Sequence, residues 1–233
     1  MTDRSLKSYL YEGIVIVASI IVAFALDASW ANYQESRIER RVLAELHDEL
    51  ESAKTRINVS ISELEGVIAA SFELAEFLGT DTAELTPDQA EILFLRVHGL
   101  NTLEVPMSVF DSIIASGQVR LISNIELRKA LAAWPALVYD VRENHEWHRV
   151  ATDEVMVPHF AKYLSIRNAF VKNGITSLNA RAFEYDIGAM QRDVAFEGQL
   201  LWQTIRQQAT LNESNILLTA TENLLALIAA EIE

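Results

Sequence analysis

The sequence predicts an all-α fold, with one N-terminal transmembrane helix continuing into a long amphipathic helix that packs in a helical bundle. Three observations carry this expectation. Gly and Pro number only 8 and 4 in 233 residues, while Ala, Leu, Glu, Gln and Arg are plentiful, a balance that favours helices over strands and turns. From Gly13 to Leu26 the run GIVIVASIIVAFAL carries no charge. Beyond it, apolar residues recur at Ile38, Val42, Leu46, Leu50, Ala53, Ile57, Ile61, Leu64, Ile68, Phe72, Ala75 and Leu78, a mean step of about 3.6, which is that of a straight amphipathic helix. The chain length suits one core plus an anchor. We therefore place a tail and transmembrane helix at 1–33 and a soluble acidic helical domain at 34–233.

Tyr9, Tyr11, Trp30 and Tyr33 bracket the apolar run in the manner of interfacial aromatic belts. Tyr9 to Trp30 is 22 residues, roughly 33 Å as a helix against a hydrocarbon core of about 30 Å. A cleaved signal peptide is the competing reading, since Ala23-Phe24-Ala25 has the small-x-small form of a cleavage site. Against it, helix-compatible sequence runs on without Gly or Pro through Arg37 to Leu64. On a helical projection Glu12, Ser19, Ala23, Asp27 and Trp30 fall within about 80° of one another, a candidate helix-packing face within the membrane. Hydration of both acids at headgroup level is the alternative. Arg4 and Lys7 on one side balance Arg37, Arg40 and Arg41 on the other, so charge counting gives no orientation.

Further along, Gly79 supplies a stop and Thr86-Pro87-Asp88-Gln89 is a capping box with Pro at the first helical position, which opens a helix over Pro87 to Leu100. SVFDSIIAS makes a short helix ended by Gly117, and Ser123-Asn124 caps the next. Pro135 lies inside that helix, and a kink or break is expected near Ala132 to Trp134. Pro158 is a second point of interruption. Between Arg167 and Ile187, Asn173-Gly174 marks a turn that leaves a short hairpin open. The last helix, from Asp193 to Ile232, shows Ile205, Ala209, Ile216, Ala220, Leu224 and Leu227 on one side and Leu211, Leu218, Leu225 and Ile232 on another, and this wide apolar surface is expected to be largely buried. Its end, NLLALIAAEIE, is too short and too acidic for a second membrane span.

The net charge is -14. Residues 1–41 hold five basic and five acidic groups, so the rest carries the whole excess, 14 basic against 28 acidic. Such a domain repels phosphate backbones and anionic headgroups, which excludes nucleic acid as a natural partner and points to neutral or basic ones. There is no cysteine, hence no disulfide, thiolate metal site or cysteine nucleophile.

The segment EGIVIVASIIVAFALDASWANYQESRIERRVLAELHDEL resembles the start of an uncharacterised bacterial family of single-pass inner-membrane proteins with a C-terminal helical domain. There a glutamate opens an apolar helix, a tryptophan and polar residues close it, and a charged helix follows. VFDSIIASGQVRLISNIELRKAL is similar to the family's central pattern, here Ser116-Gly117, Val119 to Ile122, Asn124 and Glu126 to Arg128. The resemblance implies an inner-membrane location, a cytoplasmic N-terminus and a periplasmic helical domain. It carries no activity over to any residue.

His145, His148 and His159, with Glu146, Asp153 and Glu154 beside them, are the densest set of metal-capable side chains. They lack the Glu-x-x-His pairs of di-iron bundles and the HExxH of zinc hydrolases, so a solvated helix face is the more economical reading. No catalytic motif is present, and no cofactor is called for. Trp134, Tyr139, Trp147, Phe160, Tyr163, Phe170 and Trp202 are candidates to line a ligand pocket. The expectation is thus a membrane-anchored helical interaction module, an accessory or scaffolding subunit that binds lipid through its N-terminal helix and docks on other membrane proteins or on itself. A periplasmic small-molecule-binding, sensor-like domain is the alternative, and a metal-dependent enzyme the third.

Overall fold

In a computed structural model of the chain, the described residues are 6–80, 84–99 and 102–232, with backbone alone for residues 6–10. Arg4, residues 81–83 between the Gly79 stop and the Thr86 capping box, Leu100 and Asn101 lie outside them, as do the side chains of Lys7 and Tyr9. The described residues form helices and no strand. They are α1 (Leu6–Ala75), α2 (Pro87–Val97), α3 (Ser108–Ala115), α4 (Ile125–Ala151), α5 (Val157–Phe160), α6 (Ile166–Lys172), α7 (Ile187–Gln191) and α8 (Val194–Ile232), with a 3-10 turn at Gln118–Leu121 and a π turn at Thr152–Met156.

Helix α1 is one uninterrupted helix of 70 residues, roughly 105 Å long. Between Tyr11 and Arg41 every residue is exposed except the half-buried Glu39. From Val42 onward α1 enters a bundle with α4 and α8. Ser123 donates to Glu39 from its backbone N–H (2.6 Å), and Ser60 bonds His145, so α1 and α4 run parallel. Lys54 pairs with Glu222 (3.0 Å), and His148 bonds Thr210, so α8 runs antiparallel to both.

The contact between these three helices follows a tighter period than the apolar residues suggest. On α1 the buried series is Leu43, Leu46, Leu50, Ala53, Ile57, Ser60, Leu64, Val67, Ser71, Leu74 and Leu78, steps of three and four alternating with a mean of about 3.5, the heptad spacing of a left-handed coiled coil. This corrects the straight-helix period. The apolar count followed Phe72, which is 44% exposed, where the seam takes Ser71. Leu127, Leu131, Trp134, Val138, Val141, His145 and His148 on α4, and Leu200, Gln203, Gln207, Thr210, Ser214, Leu217, Thr221, Leu224 and Ile228 on α8, keep the same alternation.

Helix α8 also departs from expectation. Ile205 (61%) and Ile216 (57%) are exposed, and the polar Gln203, Gln207, Thr210, Ser214 and Thr221 face inward. Registration with α1 and α4 decides this, because only one face of α8 continues both seams.

Pro135 does not break α4, which runs unbroken from Ile125 to Ala151. The single lost backbone bond is outweighed where Leu131, Trp134 and Val138 are buried and Trp134 Nε1 donates to Thr221 Oγ1 (2.9 Å). The interruption comes instead before Pro158, where the Val157 N–H reaches back five residues to Thr152. The chain widens into that π turn and resumes as α5, which carries Pro158 in its first turn.

Local signals fared better. Thr86 and Gln89 form both halves of the capping box, Gly117 sits at φ 71° after α3, and Asn124 accepts from the Leu127 N–H (3.1 Å). Within 167–187 the chain forms α6 and α7 rather than a hairpin. Asn168 holds the irregular segment between them, donating to Arg181 O (2.8 Å) and accepting from its N–H (2.9 Å). Helix α3 has no cap of its own. Glu49, buried on α1, accepts from the backbone N–H groups of Val109 and Phe110 (both 2.8 Å) and from the Ser108 hydroxyl (3.0 Å), a carboxylate at the positive end of a helix.

Glu49→Ala leaves the buried Phe110 N–H and the part-buried Val109 N–H without an acceptor. It is expected to destabilise the domain by about 2 kcal/mol, read as a fall of roughly 5 °C in thermal denaturation, while the exposed neighbour Glu45→Ala leaves the transition unmoved.

Candidate functional site

Two features stand apart from an ordinary helical core: the exposed apolar part of α1, and a polar layer inside the bundle. On α1, Glu12, Ser19, Ala23, Asp27 and Trp30 are all exposed. The Ser19 hydroxyl donates to Val15 O (2.8 Å) and that of Ser29 to Ala25 O (2.7 Å), so both are satisfied within the helix. Trp30 and Tyr33 lie with ring centres 6.0 Å apart. Ser19 precedes the buried Leu46 by 27 residues, about seven and a half turns of one continuous helix. The stripe therefore faces away from the side of α1 that joins the bundle.

Among the described residues two helices are long and apolar enough to cross a membrane, α1 and α8. They differ in cover: none of the apolar window of α1 is buried, whereas 28% of that of α8 is, as suits a helix seated against α1 and α4.

The polar layer lies midway along the bundle and divides the core in two. One apolar cluster joins Val42 to Ile57 with Trp134, Val141 and Leu224, and the other joins Leu74, Phe94, Phe160 and Phe196. Between them, His145 (2% exposed) and His148 (1%) come from consecutive seam positions of α4. Ser60 Oγ lies 3.2 Å from His145 Nε2. The Thr210 hydroxyl donates to Arg206 O (3.2 Å) and is thereby left to accept from His148 Nε2–H at 2.8 Å. Gln203 donates to Thr152 (2.7 Å). Among the described residues, His148 Nδ1, Arg206 Nε and Gln207 Oε1 within this layer are buried without a hydrogen-bond partner, as are Glu91 Oε2 and His98 Nε2 outside it. The Arg206 guanidinium lies over Trp147, 3.9 Å from the ring centre.

Burial pushes the His148 imidazole down to about 4, helped by the charges of His145 and Arg206. Each of the three helices supplies members of this layer: Ser60 from α1, His145 and His148 from α4, Arg206, Gln207 and Thr210 from α8. No carboxylate is among the groups that act on His148.

These positions correct the solvated-face reading of the histidines. His145 and His148 point into the bundle because they occupy α4 seam positions, a fact visible only once the 3.5-residue series is known. His159 is held elsewhere, with Nδ1 at 2.9 Å from Val155 O and its ring 6.3 Å from Phe196. Among the described residues no group of three or more His, Cys, Asp or Glu side chains is placed to hold a metal ion. The seven aromatics do not converge either. Trp134 and Phe160 belong to different clusters, and Tyr139 (64%) and Trp202 (58%) face outward. An open cleft of about 340 Å³ is lined in part by Tyr163, Phe183 and Tyr185.

A second buried acid, Glu91, is ion-paired through one oxygen and hydrogen-bonded through the other. Lys172 Nζ lies 2.7 Å from Oε2, and the Tyr185 hydroxyl donates to Oε1. It ties α2 to α6 and to the segment before α7, which is a structural role. Ser60, Gln207 and Thr210 were invisible to an apolar-periodicity reading, and a heptad count that admitted small polar residues would have found them.

Set against family models, curated proteins and solved structures, the chain matches none.

In the unfolded chain His148 takes up a proton near its ordinary value of 6.5, and in the fold only near 4. Its contribution is therefore fully present above about pH 6.5 and is lost as pH falls towards 4, a change of about 3 kcal/mol. Chemical denaturation across pH 4 to 7 should show wild-type stability falling more steeply than that of His148→Leu, which has no proton to take up at this position.

Proposed function

We propose that the protein is a membrane-anchored helical interaction module, an accessory or scaffolding subunit held in the bacterial inner membrane by a single pass of α1, with the bundle on the periplasmic side. The observation that carries this reading is the continuity of α1. A fully exposed apolar segment runs without a break into the central seam of the folded domain. Exposed apolar surface of this extent needs cover, and the 22 residues from Tyr9 to Trp30, charged only at Glu12 and Asp27, have about the helical length that a bilayer needs.

A rigid connection fixes where the domain stands relative to the anchor, as suits a part that positions other proteins. The stripe Glu12, Ser19, Ala23, Asp27 and Trp30 points away from the bundle side, which leaves it open to the transmembrane helix of a neighbour. The acidic domain favours neutral or basic partners. The resemblance to single-pass inner-membrane proteins of the same layout agrees with this proposal. The scattering of the aromatic side chains removes the support that a small-molecule pocket would need.

The full chain is expected to stay in the membrane pellet after an alkaline carbonate wash, with its domain digested by protease added to spheroplasts. Mild-detergent purification should bring down one membrane protein at fixed stoichiometry, and Ser19→Leu/Ala23→Leu should lose it while remaining in the pellet. Release by carbonate would remove the anchor. A pellet-bound protein whose companions are unaffected by the double substitution would remove the stripe as a docking face.

A further inference from the structure

Helix α8 carries a second series at heptad spacing on its outward side. Trp202, Ile205, Ala209, Asn212, Ile216 and Thr219 follow one another at alternating steps of three and four, and all are exposed. Trp202 (58%), Ile205 (61%) and Ile216 (57%) stand well clear of the bundle. One face of α8 is thus spent on α1 and α4, and another repeats the same geometry towards solvent.

We propose that this face is the contact between two copies of the chain, α8 against α8, parallel and in register. Three observations select that occupant. The first is reach: Ser60, level with the His145 layer, lies 34 residues beyond Leu26, roughly 50 Å along α1, so the bilayer that would hold the apolar segment does not extend to cover Trp202 to Ile216. This step and the parallel direction rest on the membrane-anchored reading, because two chains rooted in one bilayer have α8 helices that run the same way.

The second is charge. The soluble domain is strongly acidic, yet the flanks of this stripe carry only Arg206 and Glu213, one of each sign. Both are engaged within their own chain, Arg206 over Trp147 and Glu213 with Asn144. In a parallel, in-register pair the flanking positions that meet are Leu201 with Arg206, Gln208 with Glu213 and Asn215 with Ala220, so no like charges are brought together. The third is Asn212, at the middle of the stripe. In a parallel, in-register pair the two Asn212 amides face each other, whereas a slip of one heptad sets one opposite Ile205 and the other opposite Thr219, so this polar position favours the in-register pair.

The chain has no cysteine, so single substitutions report position directly. In the full chain in its membrane, oxidation of Ala209→Cys is expected to give about tenfold more disulfide-linked dimer than Glu222→Cys, an exposed α8 position on the α1 side, since only the former brings paired Cα atoms within bonding range. Adding Ile205→Glu and Ile216→Glu to Ala209→Cys should abolish the link, and because both side chains are already exposed the helical content should not change. Equal, low cross-linking at 209 and 222 overturns the proposal, as does a dimer that survives both glutamates or a link from 209 to a different protein. Cross-linking between Trp202→Cys and Ile216→Cys chains expressed together indicates antiparallel pairing and overturns it too. Strong linkage at 209 in protein that carbonate releases from the membrane would uphold the pairing while the anchor reading fails.

Discussion

The constraint on which the rest of the structure depends is the shared heptad register of α1, α4 and α8. A mean step near 3.5 keeps one seam of each helix turned towards the other two along the bundle. That register, rather than local hydrophobicity, decides which residues are inside. It places Ser60, Ser71, Gln207, Thr210 and Ser214 in the core and leaves Phe72, Ile205 and Ile216 outside. The seam also gives α1 its second role, since the helix that fills a third of the core is the one that carries the exposed apolar segment.

A bundle with a wholly apolar seam could slide by a turn at little cost, whereas one with a polar layer cannot do so without separating the Ser60–His145 and His148–Thr210 bonds and leaving those groups buried and unpaired. The layer accordingly fixes the axial position of α4 and α8 on α1. The same arrangement exacts a pH sensitivity, because an imidazole that is buried against Arg206 with no carboxylate facing it must stay neutral. The two apolar clusters on either side supply the burial that makes this tolerable.

At the end of the bundle remote from the apolar segment, short helices α2, α5, α6 and α7 wrap the seam. Their positions are set by individual polar contacts: Glu91 with Lys172 and Tyr185, Asn168 with Arg181, and the Gly79 N–H donating to Gln191 O (2.8 Å). Nearer the apolar segment, Glu49 fastens α3 to α1. Carboxylates thus anchor several of the connections, which is one reason an acidic chain can fold compactly while retaining a strongly negative surface.

The sequence by itself determined whatever depends on neighbours along the chain. Scarce Gly and Pro made the fold helical; Thr86, Gly117 and Asn124 marked boundaries because capping is a local hydrogen-bonding matter; and the segment from Tyr9 to Trp30 was legible as a long apolar helix by composition alone. What only the tertiary structure decided was facing. Whether His145 looks at solvent or at Ser60, and whether Ile205 or Gln207 is buried, depends on three helices agreeing on one register. A count of apolar residues on a single helix carries no information about partners and so drifted to 3.6. Pro135 shows the same limit: its local cost is real, but the packing of Trp134 against α8 outweighs it, and the irregularity falls instead in the π turn at Thr152–Met156, ahead of Pro158.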